Sequence, residues 1–394
     1  MENMEEKYSL CALNRIFGFE PKVAHALISH FGNASEIFRM KGKDMDALLG
    51  PYSKYRGAIN ARAFEEAAEE VTRLSGKDIS FLGATEAGYP ALLRECDDAP
   101  LGIYIRSRTP ADKLFGPHKG IGVVGTRDIS PYGMEWCRRI VQGMGTSSDR
   151  PVIISGLALG TDICAHVQAL DSGLPTIAVM ATGPESVYPY RHTAIADRIA
   201  GTEGCALITD YPPGTAPLAA HFLRRNRIIA GLSDATILIE SKIKGGGMMT
   251  ANLAFSYGRG VYAVPGRIDD TCSQGCNLLI KRKIAEPIIE DQDLIRSMGM
   301  DTAHGPSKAL PVKESMQQHY KESAVRDKIG LLSDILTRIK KKRGITVEEL
   351  CEECGTGYSL MAQMTGLLES DGFISIDLLQ RCCINPGRQV TVSE

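Results

Sequence analysis

From Lys119 to about Asp293 the chain alternates short, continuous apolar runs with longer segments of mixed polarity. IGVVGT precedes PYGMEWCRRIVQGM, VIISGLA precedes GTDICAHVQALDSG, and TIAVMATG leads through a loop to HTAIADRIA. ALITDYPPG is followed by HFLRRNRIIAGLS, ATILIES by GGMMTANLAFSYG, VYAVPG by CNLLIKRKIA, and PIIE closes the series. The runs are apolar at successive positions instead of every second one, as strands of a parallel sheet are when helices cover both faces. Six or seven such strand–helix repeats predict a doubly wound, open parallel α/β sheet over residues 119–293. A closed eight-stranded barrel needs more of them.

The flanking pattern differs. Residues 1–75 read as all-helical: YSLCALNRIFGF, PKVAHALISHFG and NASEIFRM are broken by Pro21, Gly32 and Asn33, and a longer helix is predicted from Tyr55 to Leu74. Pro21 suits a first helical turn and Gly32 a C-cap. Residues 76–118 form a connecting region with two short strands, ISFLGA and LGIYIRS, around a turn-rich GYPALLRECDDAP. Residues 294–327 are polar and read as a linker. Residues 328–394 carry three helices, the last Tyr358–Ser370, and a β-hairpin running to RQVTV, the pattern of a winged helix-turn-helix. That last helix has no Arg or Lys, so protein docking is favoured over major-groove reading.

Composition changes this picture little. With 394 residues and a formal net charge of −2, several domains are expected and bulk charge does not favour nucleic acid, so any such binding needs a local patch. No apolar run approaches the ~20 residues of a membrane span, and MENMEEKYSL is too acidic for a secretory signal. A cytoplasmic protein with reduced cysteines is expected. Cys351-x-x-Cys354, Cys382-Cys383 and Cys272-x-x-x-Cys276 lack companion ligands, and no metal is expected.

The candidate chemistry lies after the strands, where ligands bind in open α/β sheets. Gly125-Thr126-Arg127 follows the first strand, Ser155-Gly156 the second, Thr182-Gly183 the third, Asp210-Tyr211 the fourth, Gly245-Gly246-Gly247 the fifth and Pro265-Gly266-Arg267 the sixth. Glycines beside Arg127, Arg267 and the cluster Arg224, Arg225 and Arg227 suit backbone and guanidinium contacts to a phosphate chain. GVVGTR is not G-x-G-x-x-G and no P-loop occurs, so neither a dinucleotide cofactor nor an NTPase is indicated. His166 and His192 read as core or capping residues and Asp162 as a helix cap. Ser155 and Ser241 lie in no nucleophile elbow. In His221-Phe222-Leu223-Arg224-Arg225-Asn226-Arg227 an aromatic beside arginines at a helix start suits base stacking and phosphate contact. The other reading keeps Phe222 in the core and the arginines in ion pairs.

GVVGTRDISPYG, ISGLALGTDICAH, HFLRRNRIIAGLS, TAN-LA and VYAVPG…GCNLLI closely resemble the DNA-processing protein A family, DprA or Smf, with YPALLRECDDAPLGIYIRS matching the segment that leads in. The resemblance implies an extended Rossmann-like fold, an N-terminal sterile-alpha-motif-like or helix-hairpin-helix domain and a C-terminal winged helix. It implies a homodimeric, cofactor-free, non-enzymatic protein. Such a protein binds single-stranded DNA, protects incoming strands and helps load the RecA recombinase in natural transformation. By motif position it implies phosphate contacts from Arg127, Arg224, Arg225 and Arg227, with Thr126, Asn226 and Arg267 beside them. Backbone approach at Gly125, Gly156, Gly246 and Gly247 and a base stacked on Phe222 complete the implied site. The chain departs from the family in having Leu223 where Pro is usual, Gly247-Met248-Met249-Thr250 in place of Ser-Leu-Ile-Thr, and no paired-glycine hairpin after Phe19. A nucleotide-processing enzyme of the same fold is the alternative, but GGGMMTANLA lacks the glutamate such a site uses.

Overall fold

The computed structural model describes residues 2–40, 42–50, 52–116, 118–300, 310–321, 325–342, 344–384 and 390–391. The chain divides into two compact units: residues 1–127 with 149–287, and residues 128–148 with 288–394.

The first unit begins with α1 (Glu2–Ile16), α2 (Pro21–Phe31), α3 (Ala34–Arg39), α4 (Gly42–Leu49) and α5 (Ala61–Ser75). Pro21 opens α2, and Gly32, at φ 86°, closes it by returning its N–H to the Ile28 carbonyl. α5 starts at Ala61 and not at Tyr55 as the apolar spacing predicts. The reason is local: extended Asn60 accepts the Ala63 N–H in its side chain and caps the helix there.

The chain then forms β1 (Ile79–Gly83), a turn of helix α6 (Ala91–Arg94), β2 (Gly102–Arg106) and α7 (Ala111–Leu114). The parallel strands follow: β3 (Gly120–Val124), then, after α8 (Pro131–Gly145) of the second unit, β4 (Val152–Ser155) and α9 (Thr161–Asp171). β5 (Thr176–Val179), α10 (Thr193–Gly201), β6 (Ala206–Thr209), α11 (Ala219–Leu232) and β7 (Ala235–Leu238) come next. α12 (Gly246–Ser256), β8 (Gly260–Ala263), α13 (Gln274–Lys281) and β9 (Glu286–Pro287) complete the unit.

All nine strands make one sheet, ordered β1-β2-β6-β5-β4-β3-β7-β8-β9. From β6 to β9 every pairing is parallel, so the α/β core is doubly wound as expected. The winding changes direction between β3 and β7, the place where open α/β sheets leave a ligand crevice at the carboxyl ends of the strands.

The segment read as a connecting region is the antiparallel edge of this sheet: β1 pairs with β2, and β2 with β6. Its side chains alternate between two cores. Leu82, Ile103 and Ile105 join the core of the α/β sheet, while Ile79, Phe81 and Tyr104 join the core of the N-terminal helices. Both faces of the hairpin are therefore covered. At the centre of the helical face Tyr104 donates its hydroxyl to Glu70 at 2.6 Å, and Arg15 lies 3.6 Å from the same carboxylate.

In the second unit α14 (Asp291–Ser297) joins α8 through a two-pronged Arg139–Asp291 ion pair, both contacts at 3.1 Å. β10 (Leu310–Pro311), α15 (Val312–His319), α16 (Ile329–Lys341), β11 (Ile345–Thr346), α17 (Val347–Cys354) and α18 (Tyr358–Ser370) follow. β12 (Ile374–Ile376), β13 (Arg381–Ile384) and β14 (Val390–Thr391) end the described chain. The polar stretch read as a linker contains α15, whose Val312 and Met316, with Tyr320 directly after it, are buried in the core built around α16. They recur every fourth residue, so three apolar side chains make one helical stripe despite the polar composition. α16, α17 and α18 pack with an antiparallel sheet ordered β11-β13-β12. β14 pairs in parallel with β10 and not in the hairpin expected for RQVTV; residues 385–389 lie outside the described residues. All eleven cysteines are free thiols.

Candidate nucleic-acid interface

Close backbone packing builds the crevice between β3 and β7. A Cβ on Gly247, in the first turn of α12, would meet Leu238 Cδ1 at 2.7 Å and the Gly125 Cα at 3.1 Å. Gly160, which precedes α9, has φ 73° and ψ −117°, and a Cβ there would meet the Arg127 carbonyl carbon at 2.7 Å. The first turns of α9 and α12 thus converge on Gly125-Thr126-Arg127. Neither helix has a side-chain cap; Gly160 and Gly245 occupy the cap positions. Two helix N-termini with glycine caps beside one segment are an arrangement that favours an anion. Gly246 is exposed, and nothing lies within 4 Å of where its Cβ would stand.

The arginines divide into two kinds. Arg127 is exposed, its guanidinium carbon 5.1 Å from the centre of the Phe222 ring, and Tyr188 meets the same ring edge-on at 5.4 Å. Arg225, in contrast, is only 3% exposed and donates to the Val179 carbonyl. Gly156 serves this side chain: a Cβ there would collide with the Arg225 guanidinium, so that glycine makes room for an internal cation. Burial lowers the Arg225 pKa to about 10, with neighbouring Asp162 working against the shift. Asp162 is itself buried, which raises its pKa, and it accepts the Ala158 N–H at 3.3 Å in the preceding loop. His166 lies beneath them, Nδ1 2.8 Å from Thr176 Oγ1; burial and then the Arg225 charge push its pKa down to about 3. His192 holds the Leu157 carbonyl at 2.8 Å. Both histidines are interior fixtures, as their sequence context predicts.

Arg227 is also buried, 2.5 Å from Asp210 and donating to the Asp98 carbonyl, and Asn226 is buried beside it. Arg224 shares Asp210 at 3.3 Å but lies partly open, its guanidinium 4.8 Å from the Phe19 ring and 5.6 Å from that of Tyr211. Successive residues turn by about 100° around a helix, so Phe222 and Arg224 lie on opposite flanks of α11 with exposed Leu223 between them. The run RRNR therefore does not act as one patch. Arg225 and Arg227 brace the ends of β5 and β6, and Arg224 belongs to a different flank from Arg127. Arg267 is turned to solvent and pairs with Asp269 at 2.9 Å, and no contact among the described residues joins it to Phe222 or Arg127.

Three residues join this geometry that motif reasoning did not select: Tyr188 and the exposed pair Lys242 and Lys244, on the loop from β7 to the α12 N-terminus. The signal for the lysines was present in SKIKGGG, basic positions directly ahead of glycines. Tyr188, in a long loop after β5, had none.

Fold and site together define a doubly wound α/β protein with close-packed glycines, the exposed Arg127 and the Phe222 ring at the switch of its strand order. The sequence model for DNA recombination-mediator protein A matches residues 80–299, and the chain belongs to that family. The match includes the β1–β2 hairpin. Protein Smf of Synechocystis sp. is 32% identical over 310 residues, 76% of this chain and 74% of its own. The DNA processing protein DprA of Streptococcus pneumoniae is 35% identical over 256 residues, 64% of this chain and 87% of its own. The crystal structure of the Streptococcus pneumoniae protein superimposes with a TM-score of 0.53 at 31% identity, covering 66% of this chain and 92% of that one.

Proposed function

We propose that this protein binds single-stranded DNA along the crevice between β3 and β7, as a non-enzymatic, cofactor-free mediator. It protects incoming strands and helps load the RecA recombinase in natural transformation. The observation that carries the reading is the exposed Arg127 guanidinium over the Phe222 ring, set at two converging helix N-termini. A cation for the phosphate and an aromatic face for the base are the two parts of a sequence-tolerant single-strand grip. Arg225, Arg227 and Gly156 act by shaping that grip from inside. Burial of His166 and His192, each hydrogen-bonded in the interior, supports a binding role over acid–base catalysis. Membership of the family and the Streptococcus pneumoniae relative's name support a part in DNA processing. We assign the C-terminal module a winged-helix, protein-docking role, since α18 carries no basic residue, and take the protein to act as a cytoplasmic homodimer.

Fluorescence anisotropy of labelled oligo-dT, single- and double-stranded, at two salt concentrations tests the reading. Wild type is expected to favour the single strand and to weaken with salt. Arg127→Ala and Phe222→Ala should each weaken binding about fivefold or more. Wild-type affinity that both substitutions leave unchanged would refute this site.

A further inference from the structure

A second aromatic–guanidinium pair lies on the other flank of α11, and it comes from the N-terminal helices. Phe17 and Phe19 are two residues apart at the end of α1 and have opposite fates. Phe17 is fully buried, its ring 4.3 Å from that of Tyr55, whereas Phe19 is 64% exposed. The turn between them is tightly specified: a Cβ on Gly18 would meet the Asn14 carbonyl oxygen at 2.9 Å, and the Glu20 N–H returns to the Phe17 carbonyl at 2.7 Å. Asn14 fixes this turn to the sheet by donating to the Asp210 carbonyl at 2.9 Å. The side chain of the same Asp210 holds Arg224 and Arg227. As a result Phe19 stands 4.8 Å from the Arg224 guanidinium and 5.8 Å from the His221 ring, with most of its own surface open to water.

Packing does not account for this ring. An anchoring phenylalanine would be covered, as Phe17 is; a single exposed ring is ordinary on a protein surface, and what sets Phe19 apart is its contact with the Arg224 guanidinium and the His221 ring. What the geometry offers is a guanidinium over one face of a ring that is otherwise largely open to water, repeating the Arg127–Phe222 arrangement across the width of one helix, about 10 Å. We infer that Phe19 and Arg224 form a second base-stacking step for single-stranded DNA. The strand leaves the β3–β7 crevice, crosses the first turns of α11 and continues onto the N-terminal helical module. This rests on the single-strand reading above and adds that the N-terminal helices bind DNA directly, so that the site is longer than the crevice.

The full-length chain tests it. Phe19→Ala and Phe222→Ala are titrated with labelled oligo-dT of increasing length. Phe19→Ala is expected to bind the shortest oligonucleotides that wild type retains as well as wild type does, and longer ones about fivefold or more weakly, the lower end of one stacked base. Phe222→Ala should lose affinity at every length. A Phe19→Trp variant in a Trp136→Phe background supplies the second readout, a single indole whose emission long oligo-dT should quench and short oligo-dT should not. Unchanged affinity of Phe19→Ala at all lengths, with no quenching of the indole, would overturn the inference while leaving the crevice intact. Failure of wild type to bind any single strand, or indifference to Phe222→Ala, would instead overturn the reading on which it rests.

Discussion

The convergence of α9 and α12 on Gly125-Thr126-Arg127 depends on a glycine at 160, and Gly160→Ala tests that dependence. Two costs arise. The backbone stands at φ 73° and ψ −117°, outside the region a side chain tolerates, which costs about 1–3 kcal/mol. The added Cβ would also stand 2.7 Å from the carbonyl carbon and carbonyl oxygen of Arg127, atoms of the main chain that cannot rotate away. Relieving that overlap by moving the loop costs about 1–3 kcal/mol more, as overpacking does elsewhere. The sum is roughly 2–6 kcal/mol, a large share of the ~5–15 kcal/mol by which domains are stable. Gly258→Ala separates the two costs: Gly258 also has a positive φ, 71°, but nothing lies within 4 Å of its Cβ position, so only about 1–2 kcal/mol is expected. Urea unfolding of both variants and of wild type measures the difference, and anisotropy with oligo-dT measures whether Arg127 has left its place over Phe222. Gly160→Ala should be the less stable variant and the only one of the two to lose affinity for the single strand. Equal stability of the two variants with unchanged affinity would show that backbone approach at Gly160 does not build the site.

Two further predictions concern the interior. Asp210→Ala leaves buried Arg227 without its carboxylate partner and should destabilise the protein by about 3–5 kcal/mol, read as a lower urea midpoint; a shift below about 1 kcal/mol would mean that the Asp98 carbonyl suffices. His166 has a pKa of about 3 in the folded chain and about 6.5 when unfolded, so above pH 6.5 it is neutral in both states and exerts no pull. Between those values only the unfolded chain takes up the proton, and stability falls with falling pH, by about tenfold in the unfolding equilibrium per unit. The raised pKa of Asp162 acts in the opposite sense, because there the folded state holds the proton more tightly. His166→Gln removes the first effect and should flatten the loss of thermal stability between pH 6.5 and 4; an unchanged slope would sink this account.

Much of the fold was legible in the chain because its causes are local. Continuous apolar strands and the glycines after them define the doubly wound sheet and the end at which the proposed site lies, and Pro21, Gly32 and the run Tyr358–Ser370 mark helix limits where the structure has them. Motif resemblance likewise reaches the family. Other features are settled by a local cap that overrides the apolar spacing or by partners distant in sequence. Asn60, not the apolar spacing, sets where α5 begins, since a cap competes with propensity at a helix end. Val312, Met316 and Tyr320 bury a helix inside a polar stretch because α16 offers them a face. The β1–β2 hairpin became a sheet edge because β6 and the helical core cover its two sides.

The site divides along the same line. Arginines, glycines and an aromatic near the strand ends are visible as residue types, and so is the chemistry they suit. Which arginines face water is not, because in RRNR neighbouring residues differ by about 100° in direction and burial follows direction. Arg225 turns inward to the space that Gly156 leaves, Arg227 turns to Asp210, and Arg127 alone meets Phe222. Phe19, about two hundred residues before Arg224 in the chain, reaches it only because Asn14 and Asp210 bring the first helix to the end of β6. Sequence by itself determined the kind of contacts this protein can make. Tertiary structure decided which side chains make them, since exposure and pairing are properties of the packed chain.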